Sequence, residues 1–336
     1  MAADRDLAIA FVRAWSGVPR GVLSGWETTA ATGVRGLRLL AESGVFRSFL
    51  LTEQNDDAFE ALARNAREHP GAVAVHGDGR SPPGTAAFDY VDVDPYGSPL
   101  PFVPAAFAAV RPGGVLGVTA TDMMVLAGAQ PAATLRKYGA VPIRGRLGPE
   151  SGLRILLMFL AREARSRGGS IRPLLCYVRE HYVRAYVEVS PSSAPADPVG
   201  PIDPSSWDGP TVGAKGPYGP LWLGPLLDPG LVARLAVPAG AARPREVAEF
   251  LFRLAGEAGI DRAFYYETNT IAAALHLARP PSRDDLQSAL VAKGFRAART
   301  HVRPEGIRTD APRRIVEQVA TELAGGPQSQ NARVRA

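Results

Sequence analysis

The amino-acid sequence predicts an α/β protein with a doubly wound, mostly parallel sheet and a smaller second domain. Short apolar strands alternate with helical segments over residues 4–119, a pattern typical of parallel sheets with helices on both faces. Two consecutive strands follow, joined by a tight link near Glu180, and they predict an antiparallel hairpin that closes the sheet. After residue 192, short strands and helices in a different order predict a small α+β domain.

The elements of the sheet are predicted in chain order from apolar runs and helical spacing. Leu7, Phe11 and Ala14 predict a helix over residues 4–15. Strands are predicted at Val22–Trp26, Phe46–Thr52 and Ala72–His76, then from Phe88 up to Asp94, and at Val115–Thr119. The intervening helices are predicted around Leu37, Leu39 and Leu40, over residues 55–69 with Asp56 as the N-cap, and at Phe102–Val110 before an RPGG turn.

The second half of the chain predicts a helix over residues 150–167, the hairpin over residues 171–190, and then a change of composition. Residues 190–217 are rich in Pro, Ser, Gly and Asp, which indicates a linker or loop. Beyond it we predict helices at Arg245–Ala258, Arg283–Lys293 and Arg313–Leu323, and strands at 263–269 and Phe295–Val302. The predicted domains are residues 1–192 and 193–324, with a disordered tail at 325–336.

Composition excludes several classes of protein. No apolar run of the 336 residues approaches the roughly 18 residues of a membrane span, and the acidic, amphipathic start is not a signal peptide, so we expect a cytoplasmic, monomeric protein without a membrane partner. Cys176 is the single cysteine and the five histidines lack ligand spacing, so no disulfide and no structural metal are expected. The excess of basic over acidic residues, 38 against 33, permits a nucleic-acid partner.

The segment Phe88–Ser98 contains the residues most indicative of chemistry. Its apolar strand ends at Asp94, Pro95 and Tyr96, because proline cannot continue a ladder, and the carboxylate is thereby delivered to the carboxyl edge of the sheet. Carboxylate and backbone carbonyl oxygens accept hydrogen bonds from a planar amino group, and a tyrosine ring offers a face for a base. This combination favours an amino-group methyltransferase. The alternative is that Asp94 caps a turn and Tyr96 fills space beside it.

A second group of residues predicts a nucleoside-binding site at the same edge. Gly33 and Gly36 lie in the first strand-to-helix turn, without a complete GxGxxG motif. Glu53 ends the second strand, where a carboxylate can accept both ribose hydroxyls, and Asp78 follows the third strand, within reach of an adenine amino group. Taken singly, each could instead serve helix packing, solvation or turn capping.

With these residues assembled, the sequence resembles the tRNA (guanine26-N2)-dimethyltransferases of the archaeal and eukaryotic type. The resemblance rests on the blocks DRDLA, AATGVRGLR, DVDPYGSP, GVTATDMMVLAGAQPAATLRKYGA, ESGLRILL, RPLLCYVREHYVRAYVEV, GPLWLGPL, YYETNTIAAALHL and GFRAARTHVRPEGIRTDAP. It spans residue 4 to about residue 315. It implies a class I (Rossmann-like) methyltransferase sheet with a family-specific C-terminal domain, S-adenosylmethionine as methyl donor, and guanine 26 of tRNA as acceptor.

The resemblance also implies roles for individual residues. Arg5 and Arg35 match the family's cofactor-binding arginines, Glu53 and Asp78 its ribose and adenine acids, and Asp94 its catalytic carboxylate, while Gly79 adjoins the adenine site. Two departures are expected to matter. A leading family segment of about thirty residues is lacking before the DRDLA block, and the region before GPLW has none of the paired cysteines that relatives often carry there.

A basic stretch in the second domain predicts the tRNA contact. It contains Lys293, Arg296, Arg299, Arg303, Arg308, Arg313 and Arg314, with Phe295 and His301 among them. Such a surface could grip the phosphate backbone, although a basic face can also be merely solvated. Three rival functions remain open: another amino-group methyltransferase, a non-catalytic RNA-binding module, and a nicotinamide dehydrogenase, which the missing GxGxxG and the terminal hairpin disfavour.

Overall fold

The structure, a computed structural model, describes residues 2–16, 21–85, 87–191, 197–213 and 215–325. Its first part is built on seven strands: β1 (Leu23–Glu27), β2 (Phe46–Glu53), β3 (Ala72–His76), β4 (Phe88–Val93), β5 (Val110–Ala120), β6 (Ser170–Arg179) and β7 (Tyr182–Ser190). The helices of this part are α1 (Ala2–Ser16), α2 (Val34–Ser43), α3 (Asp56–Ala66), α4 (Val103–Ala109), α5 (Met123–Leu126), α6 (Pro131–Tyr138) and α7 (Gly148–Ser166).

The seven strands form one sheet in the order β3-β2-β1-β4-β5-β7-β6. The pairs β1–β2, β2–β3, β1–β4 and β4–β5 are parallel, whereas β5–β7 and β6–β7 are antiparallel. The predicted parallel sheet with a terminal antiparallel hairpin is therefore confirmed. Because β1, β2, β3, β4 and β5 all run the same way, their carboxyl ends meet at one edge.

Two local details differ from the sequence prediction. The N-cap of α3 is Asn55, not Asp56: Asn55 has the extended backbone that a cap needs, and its side chain accepts a hydrogen bond from Ala58 N. The RPGG segment is not a separate turn but part of β5, where Gly113 adopts a φ of 78° and the register against β4 shifts.

The second part of the chain contains shorter elements. These are β8 (Val199–Ile202), β9 (Tyr218–Trp222), α8 (Pro229–Val232), α9 (Pro244–Glu257), β10 (Tyr266–Glu267), α10 (Thr268–Ala274), α11 (Arg283–Ala292), β11 (Ala297–Arg299), β12 (Gly306–Thr309) and α12 (Arg313–Ala324). Strands β8 and β9 pair with each other, and β10-β12-β11 form a three-stranded antiparallel sheet. The predicted loop at 190–217 thus contains β8. The predicted strand at 263–269 is only two residues long, because α10 begins at Thr268.

Two hydrophobic clusters stabilise the molecule. The large cluster runs from Ala3 to Tyr265 and includes Leu221 and Leu254, so it continues from the main sheet into the second part. The smaller one joins α10, α11, β12 and α12 through residues such as Leu286 and Ile307. The domain boundary after residue 192 stays a prediction, and the tail beyond residue 325 lies outside the described residues.

A buried ionic network joins the C-terminal sheet to the main domain. Arg308 of β12 is 3% exposed; its Nη2 lies 2.8 Å from Glu150 Oε2 of α7 and its Nε 2.7 Å from Glu257 Oε2 of α9. Burial alone would raise the pKa of Glu150, but Arg308 and Arg154 lower it to about 2. His301, also buried, contacts Glu257 Oε1 at 2.7 Å. The prediction that Arg308 and His301 belong to a tRNA-binding surface is therefore wrong, because packing removes both from solvent.

Within the parts of the chain that the structure describes, no helix is both long enough and apolar enough to cross a membrane.

Candidate active site

A cavity of about 790 Å³ lies at the carboxyl edge of the main sheet. This volume is within the range of about 300–1,000 Å³ that small-molecule sites occupy. Its walls come from the ends of β1, β2, β4 and β5, from the start of α1, and from the hairpin residues Tyr177, Tyr182 and Arg184. The predicted site residues that line it are Arg5, Arg35, Glu53, Gly79, Asp94, Pro95 and Tyr96.

Asp94 lies one residue beyond β4, where the chain leaves the sheet. Its carboxylate is partly exposed to the cavity, and its Oδ2 accepts a hydrogen bond from Arg35 Nη2. Pro95 is buried beside it, whereas Tyr96 is 98% exposed. An exposed aromatic ring next to a fixed carboxylate can stack on a flat ligand whose edge donates hydrogen bonds to that carboxylate.

Arg35 is the cation that pairs with Asp94. It stands in the first turn of α2, and its Nε lies 3.8 Å from Glu27 Oε1 and 3.9 Å from Asp92 Oδ1. Burial alone would lower the pKa of Arg35, but Asp94 and Asp92 raise it above its usual value. Arg35 therefore stays charged and holds three carboxyl groups around one guanidinium: Glu27 at the end of β1, Asp92 in β4, and Asp94 just after β4.

Glu27, the last residue of β1, was not among the predicted site residues. It is 3% exposed, and its Oε2 accepts a hydrogen bond from Gly36 N at 3.1 Å. Burial first, and Asp92 second, raise the pKa of Glu27 to about 8. An acidic residue at the end of the first strand, directly before the glycine turn, is the sequence signal that could have identified it.

Asp92 and Arg184 form a buried pair beneath the cavity, also absent from the sequence prediction. Arg184 of β7 donates from Nη2 to Asp92 Oδ2 at 2.5 Å and from Nη1 to Thr119 Oγ1 at 2.7 Å. Burial would raise the pKa of Asp92, but Arg184 and Arg35 lower it. The hairpin thus supplies the charge that lets an ionised aspartate occupy the centre of the sheet.

The opposite end of the cavity contains Glu53 at the end of β2. Its Oε2 accepts from Ala31 N at 2.7 Å, and its Oε1 accepts from Gln54 N at 2.9 Å and Asn55 N at 2.8 Å. Three backbone amides therefore orient this carboxylate at the wall of the cavity, on an edge that also carries Gln54 and Asn55.

The two predicted glycines and Asp78 have different positions. Gly79 lines the cavity and packs so closely against the residue after β1 that a Cβ atom there would lie 1.9 Å from Thr28 O. Gly33 precedes α2 with a φ of 82° and is not a lining residue, so it acts on the backbone of the turn. Asp78 is not a lining residue either, and its carboxylate accepts from Arg80 Nε at 2.9 Å.

The donor set of the cavity fits a polar nucleoside-like ligand such as S-adenosylmethionine. The hydroxyls of Thr28 and Thr29 are buried atoms without a hydrogen-bond partner among the described residues, and both threonines line the cavity. Because buried polar groups are normally satisfied, these two oxygens indicate a ligand with its own donors or acceptors.

A parallel sheet closed by an antiparallel hairpin, with a nucleoside-sized cavity and acidic residues at successive strand ends, defines a class I methyltransferase. Within that class, residues 1–201 and 211–321 match the family model described as N2,N2-dimethylguanosine tRNA methyltransferase. The chain belongs to this family.

Individual relatives agree with this assignment. The tRNA (guanine(26)-N(2))-dimethyltransferase of Pyrococcus horikoshii is 32% identical, over 93% of this chain and 88% of the relative. That of Thermococcus kodakarensis is 33% identical, over 95% of this chain and 91% of the relative. A solved complex of Trm1 from Pyrococcus horikoshii with S-adenosyl-L-methionine superposes with a TM-score of 0.82 at 29% identity, covering 95% of this chain and 92% of that one.

Proposed function

We propose that this chain transfers methyl groups from S-adenosylmethionine to the exocyclic N2 of guanine 26 in tRNA, giving N2-methyl- and N2,N2-dimethylguanosine. The observation that carries the proposal is the position of Asp94, Pro95 and Tyr96 on the wall of a nucleoside-sized cavity, in a chain that matches this family over nearly its whole length. Relatives from several archaea bear the name of this activity.

On the acceptor side, Asp94 would hold the amino group of the guanine. One of its oxygens already accepts from Arg35, and the carboxylate faces the cavity, so it can accept from an amino N–H. The Pro95 carbonyl would be the second acceptor and Tyr96 the stacking platform. Because the guanine N2 lone pair is delocalised into the ring, the amine is a poor nucleophile, and hydrogen bonds from its N–H groups to these acceptors would orient it for reaction.

On the donor side, Glu53 would accept the ribose hydroxyls, and the backbone at Gly79 would adjoin the adenine. S-adenosylmethionine supplies, when bound, an electrophilic methyl group on a sulfonium. Arg5 and Arg35 would meet its terminal carboxylate, and for Arg35 this contact would come in addition to its bond to Asp94. Asp78 would reach the adenine amino group only if its carboxylate turned away from Arg80.

Each methyl transfer requires one N–H proton to leave the amine. Asp94 would take that proton as a general base, or it would act only as a hydrogen-bond acceptor while the more acidic methylated amine releases the proton to water. The second transfer uses the remaining N–H, so the amine must rotate in place between transfers.

The tRNA contact is proposed for four basic residues of this stretch without Arg308: Lys293, Arg296 and Arg299, which are exposed, and Arg303, which is half-buried. Lys293 and Arg299 are solvent-accessible, although Glu322 and Asp284 pair with them at 3.3 Å and 2.6 Å. Phosphate contacts here would offset the few kcal/mol needed to expose a base that is stacked in the tRNA. A monomeric protein that acts in the cytoplasm is part of the same proposal.

Nucleoside mass spectrometry tests the proposed activity. A tRNA transcript incubated with the protein and isotopically labelled S-adenosylmethionine is expected to contain labelled N2-methyl- and N2,N2-dimethylguanosine, and a transcript with adenine at position 26 is expected to contain neither. Label in both transcripts would indicate another acceptor base. Absence of donor binding in calorimetry would instead favour a non-catalytic RNA-binding module.

A further inference from the structure

A second cavity, of about 200 Å³, lies between the main domain and the C-terminal sheet. Its walls are the segment before α7, the loop at 210–213, and the C-terminal elements β10, α10 and α12. None of its lining residues lines the active-site cavity. It is too small for a whole S-adenosylmethionine molecule, since drug-sized ligands need about 300 Å³ or more. Its size is that of one flat ring system.

Two polar groups in this cavity have no partner among the described residues. Glu267 is 3% exposed; its Oε2 accepts from Arg146 Nη1 at 2.7 Å, while its Oε1 is buried and accepts no hydrogen bond. Tyr266 is 6% exposed, and its hydroxyl is buried and unpartnered as well. Both residues line the cavity. Since buried acceptors and hydroxyls are normally satisfied, the pair indicates a ligand that brings a donor to Glu267.

The rest of the lining narrows the chemistry of that ligand. Ile143, Leu147, Val212 and Ile271 make apolar walls that suit the faces of a flat ring. The lining also contains Arg144, which is exposed and forms no ion pair within the described part of the chain, and Arg313, whose Nε pairs with Glu317 of the same lining at 2.6 Å. Apolar walls together with a buried carboxylate oxygen and the exposed Arg144 match a base with N–H donors that is attached to a phosphate backbone.

We propose that this cavity binds a second unstacked nucleobase of the RNA substrate, one that bears an amino group, in addition to the guanine that is methylated. The proposal rests on the proposed function, because the RNA is the same tRNA. The base donates its amino N–H to Glu267 Oε1, and Tyr266 contacts its edge. Sequence-specific RNA recognition uses splayed bases of this kind. Holding such a base between the two parts of the chain would fix the register of the tRNA relative to Asp94.

Two variants and a control test the site. Tyr266→Phe removes only a hydroxyl without an internal partner, so it leaves thermal unfolding unchanged, and we expect it to weaken tRNA binding about 2- to 12-fold. Glu267→Gln replaces the charged acceptor, and we expect a loss of about 10- to 100-fold. Glu249→Gln makes the same chemical change on the exposed face of α9, outside both cavities, and tRNA affinity should not change.

The measurements are tRNA affinity across a salt series, S-adenosylmethionine affinity by calorimetry, and thermal unfolding. Weaker tRNA binding by Tyr266→Phe and Glu267→Gln, with the donor affinity and the salt slope unchanged, supports a base pocket. If only phosphates passed this cavity, loss of the Glu267 charge would strengthen binding instead, which would overturn the proposal. Unchanged affinity in both variants would also overturn it, while the wild-type methylation of tRNA would still establish the main activity.

Discussion

Asp94 is where the proposed chemistry can be tested at the scale of a single residue. Asp94→Asn keeps an acceptor oxygen but loses the charge that pairs with Arg35 and that can take a proton. General-base catalysis is worth about 100- to 10,000-fold, so we expect kcat at saturating tRNA to fall by that factor. The affinity for S-adenosylmethionine, measured by calorimetry, should change only a few-fold.

Asp57→Asn is the matched control for this experiment, because Asp57 is an exposed residue of α3 outside the cavity. It should leave kcat unchanged. Near-normal turnover by Asp94→Asn would show that the base role is wrong, while Asp94 could still position the amine. A loss of donor binding in that variant would mean that the ion pair with Arg35 shapes the whole cavity.

The stability of the protein should depend on pH through Glu27. Burial is the main cause that raises the pKa of Glu27 from 4.5 to about 8, and the charge of Asp92 is the second. Below about pH 4.5 the Glu27 carboxyl group is protonated in both the folded and the unfolded chain, and its contribution to the free energy of unfolding is at its maximum. Between pH 4.5 and 8 only the folded chain holds it, so stability falls as pH rises, by about 1.4 kcal/mol per pH unit. Glu27→Gln has no such proton and should lose less stability over this range.

Denaturant unfolding of the wild type and of Glu27→Gln at pH 5, 6, 7 and 8 measures this difference. The free energy of unfolding of the wild type minus that of Glu27→Gln should become steadily smaller, or more negative, as pH increases. Parallel curves would mean that Glu27 is ionised in the folded protein, and that Arg35 balances all three neighbouring carboxylates.

At the scale of secondary-structure elements, one arginine joins three of them. Arg308 of β12 contacts Glu150 of α7 and Glu257 of α9, all buried. Arg308→Gln would remove one counter-charge from each of two buried carboxylates, and we expect it to lower the free energy of unfolding by about 3–5 kcal/mol. Denaturant unfolding monitored by circular dichroism measures the loss.

Arg299→Gln is the matched control, since Arg299 of β11 also pairs with a carboxylate but at the surface, 2.6 Å from Asp284. Exposed pairs are worth about 0–1 kcal/mol, so this variant should remain close to the wild type. Equal effects of the two substitutions would contradict the view that the buried network attaches the C-terminal sheet to the main domain.

At the scale of the whole molecule, tRNA binding should depend on the basic residues of the C-terminal stretch that reach solvent, Arg299 fully and Arg303 in part. Replacing Arg299 and Arg303 together with Gln removes two proposed phosphate contacts, so the slope of log affinity against log salt should flatten by about one to two units. Filter binding over a range of salt concentrations measures the slope. Arg47→Gln, at the exposed amino end of β2 and thus on the opposite edge of the sheet from the cavity, should leave it unchanged. An unaltered slope in the double variant would place the tRNA on another face.

Most of the main fold could be predicted because its signals are local. The alternation of apolar strands and helices indicates parallel strands, and strand ends from Glu53 to Asp94 follow from where apolar runs stop. The strands predicted at 263–269 and Phe295–Val302 are longer than the observed β10 and β11. Short strands contain few apolar residues to mark their ends, and α10 starts directly after β10. The N-cap of α3 was misassigned by one residue for a related reason: Asn55 and Asp56 are both good caps, and only backbone geometry distinguishes them.

The sequence by itself determined the order of the strands along the chain, the acidic residues at their ends, and the Asp94-Pro95-Tyr96 segment. Only the tertiary structure decided which charges meet. It placed Arg184 of the hairpin on Asp92, joined Glu27, Asp92 and Asp94 around Arg35, and buried Arg308 instead of exposing it to RNA. The physical reason is that burial and ion pairing depend on residues that are distant in the chain, whereas strand and helix patterns depend on neighbours a few positions away.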